Sequence, residues 1–401
     1  MNYTPDPIAI CAAKRTPLGA FLGAAQPLTA PQLGAVAIRA AVEVAGIEPA
    51  RVGEVLMGCV LGAGQGQAPT RQAARGANLL DHVGATTINK VCGSGMKAIM
   101  LGCDLLSLHR ANVVVAGGME SMSQAPFMPS EMRSGRKAGA ASVPGHMMHD
   151  GLEDTYEAGR PMGSFGEVAA RKYGFTRVDQ DEFAIETLKR AQAATANGAF
   201  HDKIVELRIP TRKGEISVRQ DEKPDLVDAA KIPNLRATFQ ADGTISAASA
   251  SANADGAAAL VMTRLSVVRS DGMSIHAKVT AQASHAQNPA WYTTAPIPAT
   301  KKLLDQTGWQ AEDVDLWKIK EAFAVVAVAA AKDIGIARDK LNVNGGACAL
   351  GHPIGATGAR LVATLRHALA QRGLTRGVAA LCIGGGEATA FAIELMPQEG
   401  K

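Results

Sequence analysis

The sequence has no Cys-x-x-Cys pair. Its six cysteines stand singly at positions 11, 59, 92, 103, 348 and 382, too sparse for a disulfide framework in a chain of 401 residues. They read as thiols of a reducing cytoplasm. No long block of basic residues is present, and 41 lysines and arginines nearly balance 37 acids, so a nucleic-acid surface has no support. No apolar run reaches the roughly 20 residues that a membrane span needs. The stretch from Ala322 to Ala331 comes closest and reads as a buried helix. The opening "MNYTPDPIAICAAKRTPLGAF" interrupts its apolar residues with prolines, Asp6, Lys14 and Arg15, which argues against an export signal. The histidines do not fall at metal-ligand spacing. His146 and His149, in a Met-rich loop, read as a solvated pair.

What remains is an ordinary globular composition, 47% hydrophobic and 19% charged, in a chain longer than one domain usually requires. An internal echo points to duplication. "RANVVVAGGMESMS" (Arg110 to Ser123) and "RGVAALCIGGGEATA" (Arg376 to Ala390) each run from an arginine through an apolar stretch into glycines, as a buried strand emptying into a tight turn would. Each follows a glycine-rich turn and a helical pattern, "NKVCGSGMKAIMLGCDLLSLHR" in one half and "NVNGGACALGHPIGATGARLVATLRHAL" in the other. Apolar periodicity predicts helices over Ala30–Ala45, Gln180–Ala196 and Ala359–Leu369, while "PIAICAA" and "SIHAKVTAQAS" read as strands opening the halves. Sheets covered by helices follow. The expected division is 1–123 for the first half, 124–251 for an inserted loop domain, 252–273 for the end of the first half and 274–401 for the second. The insertion is too long to be structureless and should cover something.

Three glycine-rich turns carry the chemical signal. In "NKVCGSGMKA", Cys92 stands before a helical pattern, where a thiol gains from the helix N-terminus and neighbouring glycines let a ligand approach. In "GGACALGHPIGATGAR", His352 lies among glycines and beside Pro353. In "LCIGGGEA", Cys382 ends a strand and Gly384 to Gly386 can turn their amides toward one point. Each alone reads equally as packing. Two cysteines and a histidine on three such turns are harder to explain by packing and suit a nucleophilic thiol instead.

Together with "GGMESMS", these segments resemble the signatures of the thiolase family, in order and spacing from about Pro7 to Leu395. The resemblance implies an α/β fold of duplicated α/β/α halves in five layers, αβαβα, with the inserted loop domain, assembled as a homotetramer. It implies reversible Claisen condensation of two acetyl-CoA to acetoacetyl-CoA and CoA through an acetyl-Cys92 intermediate. Coenzyme A thioesters would be the substrates, with no further cofactor and no metal. His352 would take the Cys92 proton, Cys382 would be the acid/base thiol, and the amides of Cys92 and Gly384 would form one oxyanion hole. Ser251 would meet the pantetheine arm, with Leu152, Met162 and Phe239 lining its tunnel, whereas Arg236 and Lys231 read as solvated charges. A degradative thiolase of longer chain range, or a catalytically impaired CoA-binding protein of the same shape, are the alternatives. Trp291 and Tyr292 weigh toward a short acyl group.

The chain departs from the family pattern at several positions. "KEAF" puts Lys320 in place of an asparagine that positions a water of the second oxyanion hole, and Lys318 stands where glutamate is common. Pro161 replaces a histidine, "SASA" (Ser249 to Ala252) replaces Asn-Ala-Ser-Gly, and Ala388 replaces a glycine. A lysine that reaches the hole is a flexible donor, and one that snorkels to solvent leaves the hole short of a ligand. Both cases predict faster condensation in Lys320→Asn.

Overall fold

The computed structural model describes residues 6–129, 132–135, 137–271 and 273–396. The first five residues, part of the segment read for an export signal, lie outside them.

Helix Ala30–Ala45 forms where periodicity places it because both ends are specified: Thr29 and Gln32 make a reciprocal capping box, and Gly46 closes the helix in the left-handed region at φ 66°. The helix predicted from Gln180 begins earlier, at Arg177, since Thr176 and Asp179 form its capping box. Helix Thr357–Arg372 extends beyond its apolar stripe at both ends.

The strands run in the order Leu316–Ile319, Arg376–Ile383, Glu387–Leu395, Ala277–Ala286, Ile8–Arg15, Ala254–Arg264, Val113–Ser121, Glu54–Gly58 and Gly84–Ile88. Strands of the two halves pair at Ala9 with Lys278 and Ile10 with Ala277. Five layers result. Helix Ala30–Ala45 and its neighbours cover the outer face of the first half. Helices Ser94–Ser107 and Thr357–Arg372 fill the centre, packing Met96, Ile99, Leu361 and Leu365 against both halves. Helices Pro296–Thr307 and Ala324–Ile334 cover the outer face of the second half, the latter confirming the buried helix read near Ala322.

The echo holds in one half and fails in the other. Strand Arg376–Ile383 does end in a turn, with Gly385 and Gly386 at φ near 90°. The earlier strand runs through its glycine pair to Ser121. Gly118 is needed there for close approach, since a Cβ would lie 2.1 Å from Gly355 O.

Segment 124–251 contains helices Gly163–Tyr173 and Arg177–Ala196 and a two-stranded hairpin, Leu207–Thr211 with Gly214–Val218. His146 is buried rather than solvated: its Nδ1 lies 2.5 Å from Asp150 Oδ2 and its Nε2 accepts from Ala63 N–H at 3.3 Å. His149 is exposed.

Candidate active site

The two central helices meet at their N-terminal ends. A Cβ on Gly358 would lie 2.3 Å from Met96 N and one on Gly95 would lie 2.7 Å from Gly355 O, so only glycines permit this contact. Cys92 and His352 stand just before these ends, and the contact brings them together: His352 Nε2 is 3.4 Å from Cys92 Sγ. Cys92 is half-buried on the turn between strand Gly84–Ile88 and helix Ser94–Ser107. The preceding Val91 has φ 46°, a strained backbone for a β-branched residue, and Ser94 braces the turn by accepting from Lys90 N–H at 2.8 Å and donating to Val91 O at 2.7 Å.

The tautomer of His352 follows from its other nitrogen. Thr357 Oγ1 donates to Pro353 O at 2.9 Å, so its free lone pair accepts from His352 Nδ1–H at 2.6 Å. Nε2 is then the unprotonated nitrogen, facing the thiol. Burial holds the His352 pKa well below the ordinary imidazole value, and the charges of Lys320 and Arg360 push it the same way. The ring is therefore neutral at pH 7, ready to receive a proton and quick to return it. We expect Thr357→Val to slow acetylation of Cys92 by about tenfold or more and Thr357→Ser to restore it, read by rapid-quench mass spectrometry. Equal rates in all three proteins would remove Thr357 from this role.

Cys382 is fully buried at the end of its strand. Burial raises its pKa to about 11, Lys320 pulls it down and the Cys92 charge pushes it up. The two thiols and Lys320 thus share one site. Lys320 is only 2% exposed, so its ammonium does not snorkel to solvent. Gly384 lies beside them: a Cβ there would sit 3.3 Å from Met162 Cε and 3.8 Å from Val91 Cγ1.

The remaining candidates surround this centre. Met162 and Phe239 pack with Cys382 and Phe323, the rings of Phe239 and Phe323 meeting edge to face at 5.6 Å. Leu152 accepts from Met162 N–H through its carbonyl at 3.0 Å and packs in a cluster with Ile354 and Cys92. Ser251 donates its backbone N–H to Ala322 O at 2.9 Å, while Ala252 O accepts from His352 N–H at 2.8 Å, so this segment threads between "KEAF" and the histidine. Lys231 is exposed, 3.9 Å from Asp228. Arg236 is exposed.

Sequence reasoning missed three supports. Thr357 is one. Glu120, within the quoted "GGMESMS", is buried and accepts from the backbone N–H groups of Val60, Leu61 and Gly355 at 3.1, 3.1 and 2.8 Å, which ties the His352 loop to the neighbouring strand end. Burial raises its pKa to about 7 despite those three bonds. Glu321 accepts from Thr187 Oγ1–H, Asn342 Nδ2–H and Cys348 N–H and so fixes the loop leading to His352. For Glu120 the available signal was a carboxylate just after a glycine pair, and for Glu321 its place within "KEAF".

Comparison with known proteins identifies the family. The thiolase N-terminal domain matches residues 8–266 and the thiolase C-terminal domain residues 273–395. The chain therefore belongs to the thiolase family. It is 43% identical to an acetyl-CoA acetyltransferase of Schizosaccharomyces pombe over 389 residues, 96% of this chain and 98% of that one. It is also 43% identical to an acetyl-CoA acetyltransferase of Cupriavidus necator over 391 residues, 96% of this chain and 99% of the other. The crystal structure of the Bacillus anthracis acetyl-CoA acetyltransferase superimposes with a TM-score of 0.95 at 36% identity, covering 98% of this chain and 99% of that one. The five-layered thiolase fold is thereby established.

Proposed function

We propose that this protein is an acetyl-CoA C-acetyltransferase that joins two acetyl-CoA into acetoacetyl-CoA and CoA, reversibly, through acetyl-Cys92. The observation that carries the reading is the 3.4 Å contact between Cys92 Sγ and His352 Nε2, with Nδ1–H committed to Thr357. As Cys92 sulfur bonds to the thioester carbonyl carbon, its proton passes to Nε2. The bond from that carbon to CoA sulfur breaks, and the departing thiolate takes the proton of Cys382. A thiol whose pKa is near 11 gives up that proton to leave a strong base. The Cys382 thiolate then removes a proton from the methyl group of the second acetyl-CoA, whose carbon attacks the acetyl carbonyl. Acetoacetyl-CoA leaves, and the imidazolium returns its proton to Cys92.

The amides of Cys92 and Gly384 would hold the first carbonyl oxygen, and His352 with Lys320 the second. Ser251, Leu152, Met162 and Phe239 would line the pantetheine arm beneath the 124–251 cover, a role supported by Met162 lying against Gly384. The reaction balances with CoA thioesters alone, so no other cofactor and no metal is required. We place the enzyme in the cytoplasm, in fatty acid metabolism, as a homotetramer. Six free thiols suit the reducing compartment, and no described helix is long and apolar enough to cross a membrane.

Tyr292 supports a short acyl group. It is 3% exposed, its hydroxyl donates to Met162 O at 3.0 Å, and it lies close enough to Cys382 and Cys92 for their charges to act on it. Each extra methylene in a pocket that lacks room for it costs about 1–3 kcal/mol. We expect thiolysis of acetoacetyl-CoA to exceed that of 3-ketohexanoyl-CoA by about tenfold or more in kcat/KM. Comparable or faster rates on the longer substrate would make the enzyme a broad-range degradative thiolase.

A further inference from the structure

Behind the His352 loop lies a second polar cluster that the reaction does not use. Arg15, Lys203, Lys318 and Arg360 come from four separate segments and are 0%, 0%, 3% and 1% exposed. They act on one another electrostatically: Lys203 with Arg15, Lys318 and Arg360, and Lys318 with Arg360 and Arg15. Arg15 and Lys203 share the face of one ring, at 5.3 and 4.1 Å from the Phe200 centroid.

The negative charge acting on this group comes from two carboxylates. Asp221 is fully engaged by Arg15, which donates to both its oxygens at 2.6 and 2.7 Å. Glu321 gives its oxygens to Thr187, Asn342 and the Cys348 amide rather than to a cation. Lys223 approaches Glu321 as well and adds another positive charge. Arg190, the further cation felt by Lys318, is paired with Glu186. The cations therefore outnumber the carboxylates among the described residues.

The donors are also left over. Arg15 Nε, Lys203 Nζ, and Arg360 Nε and Nη1 are buried with no hydrogen-bond partner. Arg360 reaches only Gly351 O, at 3.5 Å through Nη2, and Lys318 Nζ donates to Gly345 O. Unpaired buried N–H groups on cations are costly, and an excess of buried positive charge more so. With all four side chains 0–3% exposed, the cluster suits a small ion rather than a polyatomic ligand.

We propose that this cluster is a binding site for a single monatomic anion of the halide class, held by Arg15, Lys203, Lys318 and Arg360. The ion accepts the unused N–H bonds and balances the excess charge. Because Arg360 donates to Gly351 O, next to His352, the ion braces the loop that carries the imidazole.

Sodium bromide is the probe. Crystals of the full-length wild-type protein soaked in it should give an anomalous bromine peak within hydrogen-bond distance of at least two of the four side chains. In solution, the melting temperature should be higher in sodium chloride than in sodium gluconate of equal concentration, by about 2 °C or more. Lys318→Glu supplies the missing negative charge in covalent form and should lose this difference. Absence of the bromine peak from the wild-type crystals overturns the proposal. So does a melting temperature that is equal in the two salts, or a chloride response that persists undiminished in Lys318→Glu. These outcomes would mean that the lysines are uncharged in the folded protein, and none depends on the reaction catalysed.

Discussion

Replacing Cys92 by alanine is expected to abolish both acetylation and turnover, with a loss of about 10⁴-fold or more in kcat. The size follows from the geometry. His352 Nε2, the only imidazole nitrogen of the centre left without a proton, faces Cys92 Sγ, and no other thiol has that position. Cys382 is fully buried with its thiol pKa pushed up to about 11, so it offers little thiolate at neutral pH. Intact-protein mass spectrometry after mixing with acetyl-CoA should show an acetyl adduct on the wild type and none on Cys92→Ala. Cys382→Ala should behave differently: slow acetylation remains, because nucleophile and base are intact, while condensation nearly vanishes with the loss of the proton acceptor. An adduct on Cys92→Ala, or turnover of Cys382→Ala near the wild-type rate, would overturn the division of labour between the two thiols. A wild type without any adduct would point to a thiolase-shaped binding protein.

Much of this site was legible because its signals are local. Helix ends with a capping box and a glycine stop, as at Ala30–Ala45, are written in a few consecutive residues. So are glycine turns that bare a thiol or an imidazole. The misreadings arise where meaning depends on what packs from elsewhere. Gly117 and Gly118 look like a turn in sequence, but they lie inside a strand, where Gly118 admits the Gly355 carbonyl from the other half and Gly117 the Ala258 carbonyl of the neighbouring strand. His146 sits in a segment rich in loop-forming residues and reads as solvated, yet Asp150 and the Ala63 amide satisfy it in a buried position. Thr357, Glu120 and Glu321 act through hydrogen bonds to backbone that no periodicity reveals. The cation cluster was out of reach for the same reason, since Arg15, Lys203, Lys318 and Arg360 converge only after both halves and the insertion have packed.

Lys320→Asn is expected to slow condensation by about tenfold or more, about 1.4 kcal/mol of barrier, the reverse of what the sequence alone suggests. Sequence reasoning treats the lysine as a poor substitute for an asparagine, either too flexible in the hole or lost to solvent. Its burial removes the second case, and its effect on both neighbours changes the balance in the first. Condensation passes through negative charge, on Cys382 sulfur and then on the enolate oxygen. A buried ammonium held nearby favours both, and an asparagine dipole favours them less. The sign can be checked group by group. Lys320 lowers the pKa of Cys382, so its removal should move the alkaline limb of the condensation profile to higher pH. It also lowers the pKa of His352, so the acid limb, where the imidazole becomes protonated and can no longer accept the Cys92 proton, should move to higher pH as well. Both limbs shift upward together. Acetylation of Cys92 at pH 8 should change little, because His352 remains mostly neutral there in either protein. The measurement is single-turnover acetylation and condensation, on wild type and Lys320→Asn, from pH 5 to pH 10. Faster condensation in the variant with unmoved limbs would mean that the ammonium hinders the enolate, and that asparagine with its water is the better donor even in this site.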